Sequence, residues 1–169
     1  MKNTIKVFVL VALTLAAMSV SAQVKLGHIE TQKLIQAMPE WTAAQKTFEE
    51  EQKKVNTELN SLREQFQTKL AEYSEKMKTY SEAMRATTEE ELQGLQQRIQ
   101  RFQETAMAQL EKTQNDLMQP VMEKALNAIK EVGKENGFTY IFDMNAGIPY
   151  AAENSQDVLP LVKKKLGLQ

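Results

Sequence analysis

Hydrophobic positions between residues 40 and 132 recur at steps of three and four and then retrace themselves. Stepping back from Met84, the stripe runs through Tyr80, Met77, Tyr73, Leu70, Phe66, Leu62, Leu59, Val55, Gln52, Phe48 and Ala44. Stepping forward from Leu92, it runs through Leu95, Ile99, Phe102, Ala106, Leu110, Thr113, Leu117, Val121, Lys124, Ala128 and Val132. Paired in order, the residue numbers sum to 175 or 176, so the second half mirrors the first about a point near Thr88. A stripe of this period is one face of a helix, and its mirror image is a second helix folded back on the first. The turn is expected near 85–91, where Thr88 and Glu91 form a capping box and Glu89 and Glu90 suit the positive end of a helix. Each arm would extend about 65 Å at 1.5 Å per residue.

The flanks carry different patterns. Val24 to Glu30 reads as a strand, and Thr31 to Met38 as a short helix stopped by Pro39. Pro120 predicts a kink in the second arm. Beyond it Met118, Met122, Leu126 and Ile129 widen the stripe, so a further surface should cover that end. Asn136-Gly137 is a helix stop. Phe138, Tyr140 and Phe142 then alternate at strand period, Asn145-Ala146-Gly147 is turn chemistry, and Ile148 to Ala152 reads as a returning strand. Asp157 can cap a last helix reaching Leu166, with Pro160 in its first turn and Lys163, Lys164 and Lys165 near its negative end. The pattern therefore predicts an α+β fold, mostly α: a leader over 1–22, a strand and short helix over 23–39, a helical hairpin over 40–132 with its outer part, about 59–117, free, and strands with a last helix over 133–169. Three short strands make a marginal sheet with open edges, and other copies of the chain are expected to complete it.

Composition narrows the function. Lys2 and Lys6 precede an apolar run from Val7 to Ala17, and Val20-Ser21-Ala22 offers small residues for cleavage, which predicts an exported protein maturing at Gln23. The run is too short to span a bilayer, so stable membrane insertion is not expected. There is no cysteine, which removes disulfides and thiol chemistry. Without Lys2 and Lys6 the 21 basic residues become 19 against 22 acidic ones, a net charge of -3 that argues against nucleic-acid binding. His28 is the only histidine, so no histidine triad or multi-histidine metal site can form within one chain. His28 and Glu30 share a strand face as half of a metal site at best, and a structural histidine is the preferred reading. Glu49-Glu50-Glu51 and Glu89-Glu90-Glu91 suit solvated helix faces better than acid/base pairs. No catalytic, cofactor-binding or metal residues are assigned, and enzyme activity is not expected.

The stretch VKLGHIETQKLIQAMPEWTAAQK, the long hairpin, then DLMQPVMEKALNAIKEVGKENGFTYIFD and a closing DVLPLVKKKLG together resemble the Skp (OmpH-like) family of periplasmic chaperones. The resemblance implies a homotrimer in which short strands build a shared body and three helical hairpins enclose a cavity. Unfolded outer-membrane β-barrel proteins would be held there without ATP or any other cofactor. It also assigns Leu26, Ile29, Phe138, Tyr140, Phe142 and Ile148 to the body. Candidate client contacts are Phe66, Leu70, Tyr73, Met77, Tyr80, Met84, Leu92, Leu95 and Ile99, because Met and Tyr give adaptable apolar contacts, although the seam between the two helices is the preferred reading for most of them. One feature departs from the family. Residues 72–91 carry six acidic side chains against Lys76, Lys78 and Arg85, so lipopolysaccharide binding is doubtful and no residues are assigned to it. The alternative reading is a coiled-coil spacer or adaptor of the cell envelope that binds a folded partner.

Overall fold

The computed structural model describes residues 24–148, 150–152 and 155–168; the expected leader and cleavage site lie outside them. The chain order is β1 (Leu26–Ile29), α1 (Thr31–Gln36), α2 (Pro39–Lys76), α3 (Glu82–Glu135), β2 (Tyr140–Asp143), a 3-10 turn (Met144–Ala146), β3 (Gln156–Asp157) and α4 (Leu159–Lys165). The α+β, mostly helical class expected from the pattern is what the chain adopts. No helix among the described residues is long and apolar enough to cross a membrane.

The long hairpin is present, but it turns earlier than its stripe predicts. Helix α2 ends at Lys76, the reversal occupies Met77 to Ser81, and α3 begins at Glu82. Ser81 is extended (φ -63°, ψ 160°), and its hydroxyl accepts from the Met84 amide at 3.3 Å as an N-cap. Thr88, the expected cap, instead lies inside α3 and donates to the Met84 carbonyl at 2.8 Å. Cross-arm pairs show the same register: Lys69 with Glu91, Tyr73 with Glu89 and Glu40 with Lys124 have numbers summing to 160–164. The fold-back is thus displaced from the predicted 85–91 by about one heptad. A stripe of period near 3.6 nearly superposes on itself after seven residues, so periodicity determines the face of each helix and not the point of reversal. Met84 consequently belongs to the first turn of the second arm.

At the base, α3 ends in a Schellman motif. The Phe138 amide donates to the Gly133 carbonyl at 2.9 Å and the Gly137 amide to that of Lys134 at 3.4 Å, while Gly137 takes φ +68°. This reversal feeds β2 into a sheet of order β2-β1-β3, parallel throughout. The expected returning strand over Ile148 to Ala152 is absent at its described positions. Asp143 accepts from the Asn145 amide at 2.9 Å and closes the 3-10 turn, Gly147 (φ +81°) redirects the chain, and the partner of β1 is Gln156–Asp157. A tight turn can return only an antiparallel strand; the connection over 144–155 lets the chain cross to the far side of β1. Helix α1 ends at Gln36, and Pro39 opens α2 in the first-turn position that suits proline. Helix α4 starts at Leu159, whose amide donates to the Asp157 carboxylate at 2.9 Å.

The core lies on one side of this sheet. Ile29, Leu34, Ile35, Met38, Val121, Ala125, Ala128, Val132, Val158 and Val162 are buried together, with Trp41, Ile129, Phe138, Ile141 and Leu166 packed against them. The wide stripe below Pro120 meets α1 and α4 here, while Met122 and Leu126 stay exposed. Gly27 is forced by packing, since a Cβ there would stand 2.9 Å from the Phe138 ring and 3.0 Å from Val158.

Candidate functional site

Strand alternation divides the sheet into two unlike faces. Gly27 and Ile29 of β1 and Ile141 of β2 turn toward the core, and the opposite face carries Leu26 and His28 with their register partners Tyr140 and Phe142. Leu26, Tyr140 and Phe142 remain 46 %, 60 % and 44 % exposed, with the Tyr140 and Phe142 rings stacked at 6.0 Å. Val24 and Tyr150 add to the exposed apolar surface of the base. The six residues assigned to the body therefore separate: Ile29 is buried, Phe138 and Ile148 are half-buried, and only Leu26, Tyr140 and Phe142 form an uncovered face. His28 receives or donates a 2.8 Å hydrogen bond between Nδ1 and Ser155 Oγ, and Glu30 pairs with Lys33 at 2.7 Å, so the two do not converge on one point.

Along the arms two helices alone cannot bury a stripe this long. Ala44, Leu62, Leu92 and Ala106 are buried, whereas Phe66, Tyr73, Tyr80, Leu95 and Ile99 are half-buried and Leu70, Met77 and Met84 are exposed. Leu92, at 8 % exposure, belongs to the seam, which corrects its place among the client-contact candidates. Burial removes it from reach; Leu62 on the first arm, never a candidate, is buried as well. Near the tip Tyr73 and Tyr80 stand 6.3 Å apart, and the Tyr73 hydroxyl donates to Glu89, which pushes the phenol above its ordinary pKa. An open groove of about 760 Å³ lies between the arms at Ser61, Thr68, Lys69, Gly94, Leu95 and Arg98. A Cβ added at Gly94 would meet nothing within 4 Å there. Its walls are polar and mixed in charge. Among the described residues no three carboxylate or histidine side chains are grouped to hold a metal ion.

At the root of the hairpin Lys124 bonds Glu40 across the arms and holds its carboxyl below the usual value near 4.5. Further up, Glu91 bonds Lys69 and raises its ammonium pKa. These links connect residues distant in sequence and lie across the arms in the observed register.

A small sheet with one bare face at the root of a two-helix arm is a distinctive combination, and the comparisons agree with it. The model of the outer membrane protein (OmpH-like) family matches residues 25–166. The chain belongs to the OmpH-like family. It is similar in fold to the crystal structure of a candidate outer membrane chaperone (OmpH-like) from Caulobacter crescentus CB15, with a TM-score of 0.74 at 16 % identity over 83 % of this chain and 82 % of that one. No curated protein sequence matches significantly. At that identity the likeness concerns the OmpH-like fold, and the side chains of this chain must be read on their own. Its acidic tip is a case in point: Glu72 is paired with Lys76 at 2.8 Å and Glu91 with Lys69, so the tip's cations are partly engaged within the arm.

Proposed function

We propose that this OmpH-like chain is an ATP-independent periplasmic holdase that keeps unfolded outer-membrane β-barrel proteins from aggregating. The observation that carries the reading is the incompletely buried stripe of the hairpin, exposed at Leu70, Met77 and Met84 toward its tip. A single globular domain gains stability by covering such residues; a protein that holds unfolded chains gains function by leaving them open. An unfolded barrel offers apolar side chains at alternate positions, and many weak contacts with a long arm sum to a useful affinity while each exchanges quickly. The chaperone description of the Caulobacter crescentus relative supports the same reading.

The bare sheet face supports a homotrimer. Leu26, Tyr140 and Phe142 are contiguous across paired strands, and both β2 and β3 are edge strands of the described sheet. Copies of the chain packed through this face would cover it and surround a cavity with their arms. The test is to dilute a urea-unfolded β-barrel protein into the mature protein and follow light scattering. Protection at about one trimer per client is expected. Replacing residues 65–98 by a short loop, which joins positions that already face each other across the arms, should abolish protection while leaving the oligomer intact. Equal protection by the shortened form would overturn the arm mechanism, and recovery of one folded, stoichiometric partner in a pulldown would favour an adaptor.

A further inference from the structure

Sulfur in the mature chain is carried by methionine alone, because cysteine is absent, and its methionines range from buried Met38 through half-buried Met118 and Met144 to exposed ones. Met38 is 1 % exposed in the core, whereas Met77 and Met84 are 41 % and 53 % exposed on either side of the fold-back. Met77 caps the C-terminal end of α2, and Met84 contributes its backbone amide to the Ser81 cap while its side chain stays open. Both thioethers are thus open to small oxidants on the part of the arm that the holdase reading assigns to client contact. We propose that Met77 and Met84 form a reversible oxidation site that releases the arm tip from apolar clients.

The chemistry requires only a peroxide. One peroxide oxygen adds to the thioether sulfur, which loses two electrons and becomes a sulfoxide; the O–O bond breaks and the second oxygen leaves as water. The sulfoxide replaces a soft apolar contact with a strongly polar S=O group, which must be desolvated when an apolar client segment lies on it. Neither sulfur takes part in the cap hydrogen bond, so oxidation leaves the hairpin turn in place. Sulfoxide reductases of the methionine-repair class reverse the change: a thiol pair supplies two electrons and two protons and becomes a disulfide, and the sulfoxide oxygen leaves as water. Met107 and Met122, open at 73 % and 44 % but away from the tip, provide internal comparisons.

This inference rests on the holdase reading, and its test separates the two. The mature protein is treated with hydrogen peroxide, sulfoxides are located by peptide mass spectrometry, and protection of a urea-diluted β-barrel client is measured before and after. Met77, Met84 and Met107 should oxidise well before Met38, and client affinity should fall on the order of three- to tenfold, the scale set by losing one or two buried apolar groups. The double variant M77L/M84L, which keeps apolar volume and still carries Met107, should show the same protection after treatment as it shows itself before treatment, whatever its starting level. Oxidation of Met38 at the rate of the tip residues, full protection by tip-oxidised protein, or equal loss in the double variant would each overturn the site. Absence of protection by the untreated protein would instead overturn the holdase reading, and the switch with it.

Discussion

Single side chains on this molecule do different work according to which side of a strand or helix they occupy. Leu62 and Leu70 are chemically identical stripe residues eight positions apart, yet one is buried and the other open. Leu62→Ala should cost about 2–4 kcal/mol of stability, as a buried leucine truncation does, measured by denaturant unfolding. Leu70→Ala should change stability by less than about 0.5 kcal/mol and register only in client protection. Gly27 is the complementary case: Gly27→Val would drive a branched side chain into the Phe138 ring and Val158, with an expected loss of about 1–3 kcal/mol. Stripe membership was legible in the sequence for all of these residues except Gly27. Depth was not, because burial depends on how far apart the arms stand at each level.

At the scale of elements, the Ser81 cap marks where the second arm begins, and the ion pairs between the arms reflect their register. Ser81→Ala should destabilise the hairpin by about 1 kcal/mol, whereas Thr88→Ala, which removes only an intrahelical hydroxyl bond, should shift the unfolding midpoint much less. The reverse order would restore the reversal to residues 85–91. The root link has a pH signature. Because Lys124 depresses the Glu40 carboxyl in the folded state, this link contributes stability above the unfolded pKa near 4.5 and loses it as pH falls through the lower folded value. A Glu40→Gln variant should therefore show a smaller loss of thermal midpoint between pH 5 and pH 3, read by circular dichroism; the effect is at most about 1 kcal/mol, since both partners are solvent-exposed. The strands show why local pattern was a partial guide. Alternation located β1 and β2, but Gln156 and Asp157 carry no hydrophobic signal; they pair with β1 because the chain arrives beside Gly27 and His28.

For the whole molecule, the arrangement of one covered and one bare sheet face is the feature with the largest consequence. If copies associate through Leu26, Tyr140 and Phe142, the thermal midpoint should rise with protein concentration, because association stabilises the folded chain by mass action. Tyr140→Asp should abolish that dependence and lower the sedimentation coefficient while leaving the secondary structure unchanged. A concentration-independent midpoint in the wild type would remove the trimer from the proposed function and leave the arm to act alone.

By itself the sequence determined what local chemistry determines: the helical stripe of both arms, the stop at Asn136-Gly137, the alternation in β1 and β2, and a cysteine-free composition with a single histidine. It could not determine the point of reversal, because a heptad-like stripe matches itself after seven residues and the choice between Ser81 and Thr88 rests on a cap in three dimensions. Nor could it show that the strands run parallel, which depends on the path of the chain over 144–155. The bare face of Leu26, Tyr140 and Phe142 emerged only once α1, α3 and α4 had packed on the other side, since a residue's exposure depends on every element that could have covered it.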